Sequence, residues 1–407
     1  DEFKLRFSLG QTGNAASGAS LYLGSYASGD NYMDMSAITP STMQLNRLKW
    51  ETTTEYNTGL DASFLKGKLR FTVDVYQKYI KDLLQKKVKM PTSIGYGNGY
   101  EVSYMNSGKM TNKGWEFRVD AVPFENRDWR VGFYFNIAHN ENKITEMPDN
   151  YTEENYTFNN GEYAYRREEG RPMGSFYGYR YKGVCQNKDA TYARDADGNV
   201  MKDISGNAIV MRNGTATIAP GDALYEDINH DGVINQYDIV YLGNSNPRFT
   251  GGAGVNVSYK QFKLSAIFYG RYGQDVVNST RLNNESMRGI DNQSTAVLRR
   301  WRNEGDQTDI PRALYGEGYN TLGSDRFVED ASYLRLKSLS FNYRLPKKII
   351  QRWGFSNIDV YVTGYNLFTW TKYTGQDPEV KTENTYARDS ATTPASIQLV
   401  AGFNLSF

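Results

Sequence analysis

The segment from Asp227 to Asp238, DINHDGVINQYD, carries oxygen donors at the spacing of a calcium loop. Calcium takes six to eight hard oxygens around a tight bend. Asp227, Asn229 and Asp231 supply side-chain oxygens, Gly232 permits the bend, Val233 offers its carbonyl, and Asn235 can hold a water. Asp238 stands where a bidentate glutamate is usual, so one ligand oxygen is lost and affinity is expected near ~10⁻⁴–10⁻³ M. The competing reading is an Asx-rich turn closed by its own side chains. No amphipathic helix flanks the loop, so a metal here is expected to pin a long loop that has no core of its own rather than to do chemistry.

The remaining reactive side chains form no catalytic constellation. Asp195-Ala196-Asp197-Gly198-Asn199 reads as a hairpin turn rather than a second metal loop. His139 lies near a strand end, His230 is a non-ligand position of the loop, and neither has a Ser or Cys partner in a recognisable motif. Glu168-Glu169 belongs to the charged run Arg166-Arg167-Glu168-Glu169, a solvated surface, and Cys185 reads as a small buried residue. Loop tyrosines offer a binding chemistry instead. Tyr96, Tyr100, Tyr151, Tyr156, Tyr163, Tyr165, Tyr315 and Tyr319 suit stacking on sugar rings or contact with peptide, unless they pack loop on loop. Trp115, Trp129, Trp353 and Trp370 fall near strand ends, as an interfacial girdle requires.

These groups must be positioned by strands. Among 407 residues there are 38 Gly, 32 Tyr and 19 Phe, a composition suited to many strands joined by turns. A net charge of +1 leaves no field to attract nucleic acid, and one cysteine excludes an intrachain disulfide framework. No apolar run is long enough for a transmembrane helix, and mean hydropathy is −0.65. A barrel wall gives the same average, because only alternate residues face lipid. No leader opens the sequence, so the chain is expected to begin in mid-structure, as a mature product or a fragment.

Period-two alternation recurs throughout. Phe3, Leu5, Phe7 and Leu9 oppose Lys4, Arg6 and Ser8; Leu69, Phe71, Val73 and Val75 oppose Arg70, Thr72 and Asp74. Ten such segments are expected to cross: 3–10, 52–65, 68–82, 112–123, 128–142, 248–259, 261–274, 327–345, 357–371 and 395–407. The apolar phase slips between Leu336 and Leu339, which predicts a bulge. Short links such as Leu65 to Lys68 and Lys260-Gln261 alternate with long polar stretches at 11–51, 85–111, 145–247, 275–326 and 372–393. That is the pattern of an outer-membrane barrel with tight periplasmic turns and long external loops. Phe176 to Val184 would spoil the parity if it crossed, so it is assigned to the external region. The charges lie opposite the apolar face, in a wet lumen or against a plug.

Several stretches resemble the C-terminal half of SusC/RagA-type TonB-dependent outer-membrane transporters: LRFSLGQTGN (5–14), MNSGKMTNKGWEF (105–117), GDALYEDINHDGVINQYD (221–238), LGNSNPRFTGGAGVNVSYKQFKLSAIFYGRYGQD (242–275), DASYLRLKSLSFNYRLP (330–346), VYVTGYNLFTWTKYTGQDPEV (360–380) and the terminal Phe407. The resemblance implies an all-β fold, an antiparallel transmembrane barrel of about 22 strands. About ten C-terminal strands would occupy residues 1–407, with a long extracellular region at 143–247. It also implies a Gram-negative outer-membrane location, with Phe407 as the C-terminal assembly signal. The expected function is import of oligosaccharides or peptides, without enzymatic activity. Partners would be a SusD-like surface lipoprotein, the lipid bilayer, and the TonB complex, reached through an N-terminal plug and further strands not in this sequence. The readings from other classes are a passive pore and a secreted calcium-stabilised adhesion protein.

Overall fold

A computed structural model describes residues 1–407 except 19, 34, 91, 97–99, 107, 148–156, 317, 381, 384 and 385; Tyr151 and Tyr156 thus lie outside the described residues. The chain divides into two compact units, the first holding 1–125, 131–153 and 167–173, the second 126–130, 154–166 and 174–407.

Each unit is built on five long antiparallel strands. In the first these are β1 (Glu2–Asn14), β2 (Glu51–Phe64), β3 (Leu69–Lys81), β4 (Lys109–Glu125) and most of β5 (Trp129–Glu146), neighbours in chain order. In the second they are β6 (Phe249–Tyr259), β7 (Phe262–Tyr272), β8 (Tyr333–Arg344), β9 (Asn357–Thr371) and β10 (Gln398–Ser406). A long strand falls on each of the ten segments expected to cross. The hairpin β6–β7 turns on Lys260-Gln261, with Tyr259 opposite Phe262 and Lys260 at φ 50°. The phase slip is a bulge at Lys337: Ile267 pairs with Ser338 and Phe268 with Leu336.

Register decides what each face carries. Residues directly opposite in an antiparallel pair share a face, so Leu60–Val73–Phe117 and Ala62–Phe71–Val119 form apolar rows across β2–β4. On the other face Arg6 donates to Asp61 (2.7 Å) and Asp74 (3.0 Å), tying three strands. Farther along the apolar face Val75 is 55% exposed, and in the second unit the row Leu264–Phe341–Val362 across β7–β9 is 43%, 46% and 42% exposed. In a soluble sandwich that face would be the core. Here it is left bare, as lipid contact demands.

The packed cores lie elsewhere. Tyr179, Ala193, Met211, Ile218, Ala223, Tyr225, Ile234 and Leu322 form one buried cluster, and Tyr163, Tyr165, Phe176, Val277, Leu282, Phe327 and Tyr386 another. The expectation that the calcium-loop region lacks a core of its own is therefore overturned. Short strands Ser175–Gly178 with Val240–Asn244, and Tyr181–Val184 with Ala223–Tyr225, bring together apolar residues too scattered to register as a period. Phe176 to Val184 stays outside the long strands. Two stretches expected as plain loop form hairpins, Ser25–Tyr32 with Met35–Thr42 and Leu84–Lys89 with Glu101–Asn106.

Candidate functional site

The loop 227–238 is held by backbone and side chain alike. Val233–Ile234 runs parallel to Arg212–Asn213, which sends Ile234 into the first core cluster. Gly232 sits at φ +82°, and a Cβ there would come within 3.0 Å of the Ala193 Cβ, so both backbone shape and space demand glycine. Asp227 Oδ2 accepts from Gly232 N–H at 2.8 Å, and Asp231 Oδ1 from Val233 N–H at 2.8 Å. Asp238 Oδ1 and Oδ2 accept from Ile228 and Asn235 N–H, each at 2.8 Å. Asn235 Oδ1 accepts from Tyr237 N–H at 2.9 Å, completing a reciprocal cap with Asp238.

Asp238 is wholly buried; that burial, aided by the nearby Asp227 charge, pushes its carboxyl above the usual range despite the N–H bonds. The donor set is all hard oxygen and suits calcium in kind, and each bonded carboxylate oxygen keeps a second lone pair. Among the described residues, no three His, Cys, Asp or Glu side chains gather on one centre. The carboxylates are turned instead to the loop's own N–H groups. His230, at φ 55°, places Nδ1 3.2 Å from the Arg194 carbonyl, outside the ligand pattern.

The tyrosines divide. Tyr163 and Tyr165 are core residues, and the Tyr163 hydroxyl donates to the Ser324 carbonyl at 2.7 Å, so the expected substrate contact gives way to loop packing. Burial raises the Tyr163 phenol far above its ordinary value. Tyr319 packs on Phe158, with ring centroids 4.9 Å apart, at the edge of the first cluster. Tyr315 is 82% exposed. Tyr96 and Tyr100 stack at 4.7 Å, and the Tyr100 hydroxyl accepts from Met43 N–H at 2.6 Å. A notch of 340 Å³ in the same unit is lined by Gln44, Leu45, Asn46, Arg47, Leu48, Tyr104, Met105 and Asn106. Such a mix of apolar surface with a few amide, guanidinium and phenol groups suits a ligand with both apolar and polar faces. Phe407 is exposed, its ring 5.1 Å from Phe355.

Two charge networks escaped sequence reasoning. Asp222, buried, accepts from Arg312 Nε at 2.7 Å, from Asn320 at 3.1 Å and from Ala219 N–H at 2.9 Å. Arg335, also buried, binds Asp377 and Glu379, and Glu379 takes Lys337 as well. Their partners lie about 40 or more residues apart with no motif between them. Only the sign of the charges was visible beforehand.

The chain can be set beside known proteins. A family described as "TonB dependent receptor-like, beta-barrel" matches residues 1–367. TonB-dependent receptor P3 of Formosa agariphila is 31% identical over 397 residues, covering 94% of this chain and 36% of that protein. TonB-dependent receptor SusC of Bacteroides thetaiotaomicron is 27% identical over 392 residues, covering 94% and 34%. Among solved structures, the RagAB peptide transporter superposes with a TM-score of 0.73 at 26% identity, covering all of this chain and 41% of that one. Its "closed-closed" state gives 0.76. The chain thus spans about a third of the length of these curated relatives, which are receptors and transporters, not enzymes. It belongs to the TonB-dependent receptor-like β-barrel family, with relatives of the SusC and RagA type, and is an outer-membrane β-barrel protein.

Proposed function

We propose that the chain is the C-terminal barrel wall and extracellular face of an importer for oligosaccharides or peptides, working with a SusD-like surface lipoprotein and energised through TonB. The observation that carries this reading is the split between bare apolar rows on the long strands and packed cores in the connections. Such a wall anchors in lipid while its connections hold a fixed shape, which a receiving surface requires. In the first unit Tyr96, Tyr100 and the Gln44–Asn106 notch offer ring faces and amide donors for cargo, and in the second the exposed Tyr315 offers a ring face of its own. Calcium at Asp227, Asn229, Asp231, Val233, Asn235 and Asp238 would stiffen the connection that carries them.

The test is extraction of the intact complex from native membranes in detergent, followed by identification of what co-purifies. A surface lipoprotein with a bound oligosaccharide or peptide supports the proposal and assigns the substrate class. A chain that elutes alone and passes ions passively in a planar bilayer overturns it. Calcium is tested separately, by titrating the decalcified protein in a calorimeter; absence of heat up to 10 mM calcium, ten times the weakest affinity expected for such a loop, overturns the metal assignment.

A further inference from the structure

On the outward face of the first unit, above the apolar rows, lies a notch of 480 Å³ lined by Tyr56, Gln77, Lys113, Trp115, His139 and Glu141 among others. Register fixes its level. Tyr56 lies opposite Gln77, and Gln77 opposite Lys113; the next row towards the tight turn is Thr58–Val75–Trp115. Below that come the rows Leu60–Val73–Phe117 and Ala62–Phe71–Val119. Phe117 and Phe135 lie 6.5 Å apart, which continues the apolar level onto β5.

Tyr56 is eight residues from Phe64, the last strand residue before the tight turn. At a rise of about 3.4 Å that is roughly 27 Å along the strand. A tilt near 40° reduces it to about 20 Å of height, against an apolar band of about 25 Å with aromatic girdles at its edges. The notch therefore opens at the outer edge of the band, where acyl chains give way to headgroups.

Its chemistry is mixed in the same sense. The Trp115 and His139 rings stand 6.1 Å apart, and Lys113 Nζ lies 3.0 Å from Glu141 Oε2. An ammonium has three N–H donors, so one such bond leaves two for another acceptor. Farther out on this face stand Lys81, Lys109 and Lys143, all exposed. Lys109 is bonded to Glu146. Four lysines against two glutamates leave the rim net positive, which selects an anionic partner.

We propose that this notch binds the phosphate-bearing headgroup of an outer-leaflet lipid. Lys113 takes the phosphate, Tyr56 and Trp115 flank the sugar part of a phosphorylated glycolipid, and an acyl chain runs down over Val75 and Phe117.

The full-length transporter in a neutral detergent would be titrated with diphosphoryl lipid A, lipid A stripped of phosphate, and inorganic phosphate, with adducts read by native mass spectrometry. Diphosphoryl lipid A should be retained at least tenfold better than the stripped lipid. Inorganic phosphate should not displace it at equal concentration. Lys113→Ala should abolish the preference and Lys113→Arg should keep it. Gel mobility of unheated samples shows that each variant is folded, and a fluorescence readout avoids the variants: lipid with brominated acyl chains should quench tryptophan in the parent more than in Trp115→Phe. Equal retention of the two lipids, displacement by free phosphate, or a preference that survives Lys113→Ala overturns the proposal.

Discussion

Substituting Val255 by arginine tests whether the bare apolar face meets lipid. Val255 lies in the middle of β6, opposite Ala266 of β7, and is 36% exposed. It is four residues from Tyr259 at the tight turn, so about 14 Å along the strand and about 10 Å in height from that edge. That is close to the midplane of a band about 25 Å tall, where an arginine facing lipid costs about 2–4 kcal/mol. The unfolding equilibrium should then shift by about 30- to 900-fold. The adjacent Asn256 points the other way and accepts from Ser265 at 2.8 Å. Asn256→Arg should cost only that hydrogen bond, about 1 kcal/mol. The assay is urea unfolding of the full-length protein refolded into phospholipid vesicles, followed by tryptophan emission. Equal costs at the two positions would refute the assignment of faces, and a smaller cost at Val255 than at Asn256 would invert it.

Other perturbations probe the connections between the long strands. Arg335→Met leaves the Asp377 and Glu379 carboxylates without their buried cation, a loss of about 3–5 kcal/mol, read as faster hydrogen exchange across 372–395. Asp238→Asn removes a desolvated charge and the proposed calcium ligand, but its amide keeps only one of the two oxygens that accept from Ile228 and Asn235 N–H. Stability without calcium should fall by about 1–3 kcal/mol, the cost of one buried N–H left unpaired, while any stabilisation by added calcium in a thermal melt should vanish. The Glu226 carboxyl is held below its ordinary value by Lys182, against a cost of burial, and by Arg180. A depressed acid stabilises the fold above its unfolded value, near 4.5, and loses that contribution as pH falls through the folded one. Glu226→Gln should therefore flatten the acid limb of the melting profile below about pH 4.5.

The strand wall was legible because a half-buried strand has a period of two and its pattern survives whatever faces it. Ten segments and the bulge near Leu336 follow from that rule, and Phe176 to Val184 stands outside the long strands. Glycine at 232 was equally readable, since a bend with positive φ restricts the residue on its own. Three matters had to wait for the folded chain. Alternation cannot say whether the apolar face meets protein or lipid; bare Val75 and Phe341 decide that. Tyr163 and Tyr165 look like any other loop tyrosines until Phe176, Val277 and Tyr386 close around them. Asp222 finds Arg312 ninety residues away, a distance over which sequence carries the charges but no geometry. Local periodicity fixes direction and face, because it acts within a few residues. Burial and ion pairing depend on which distant segments meet, and only tertiary structure determines that.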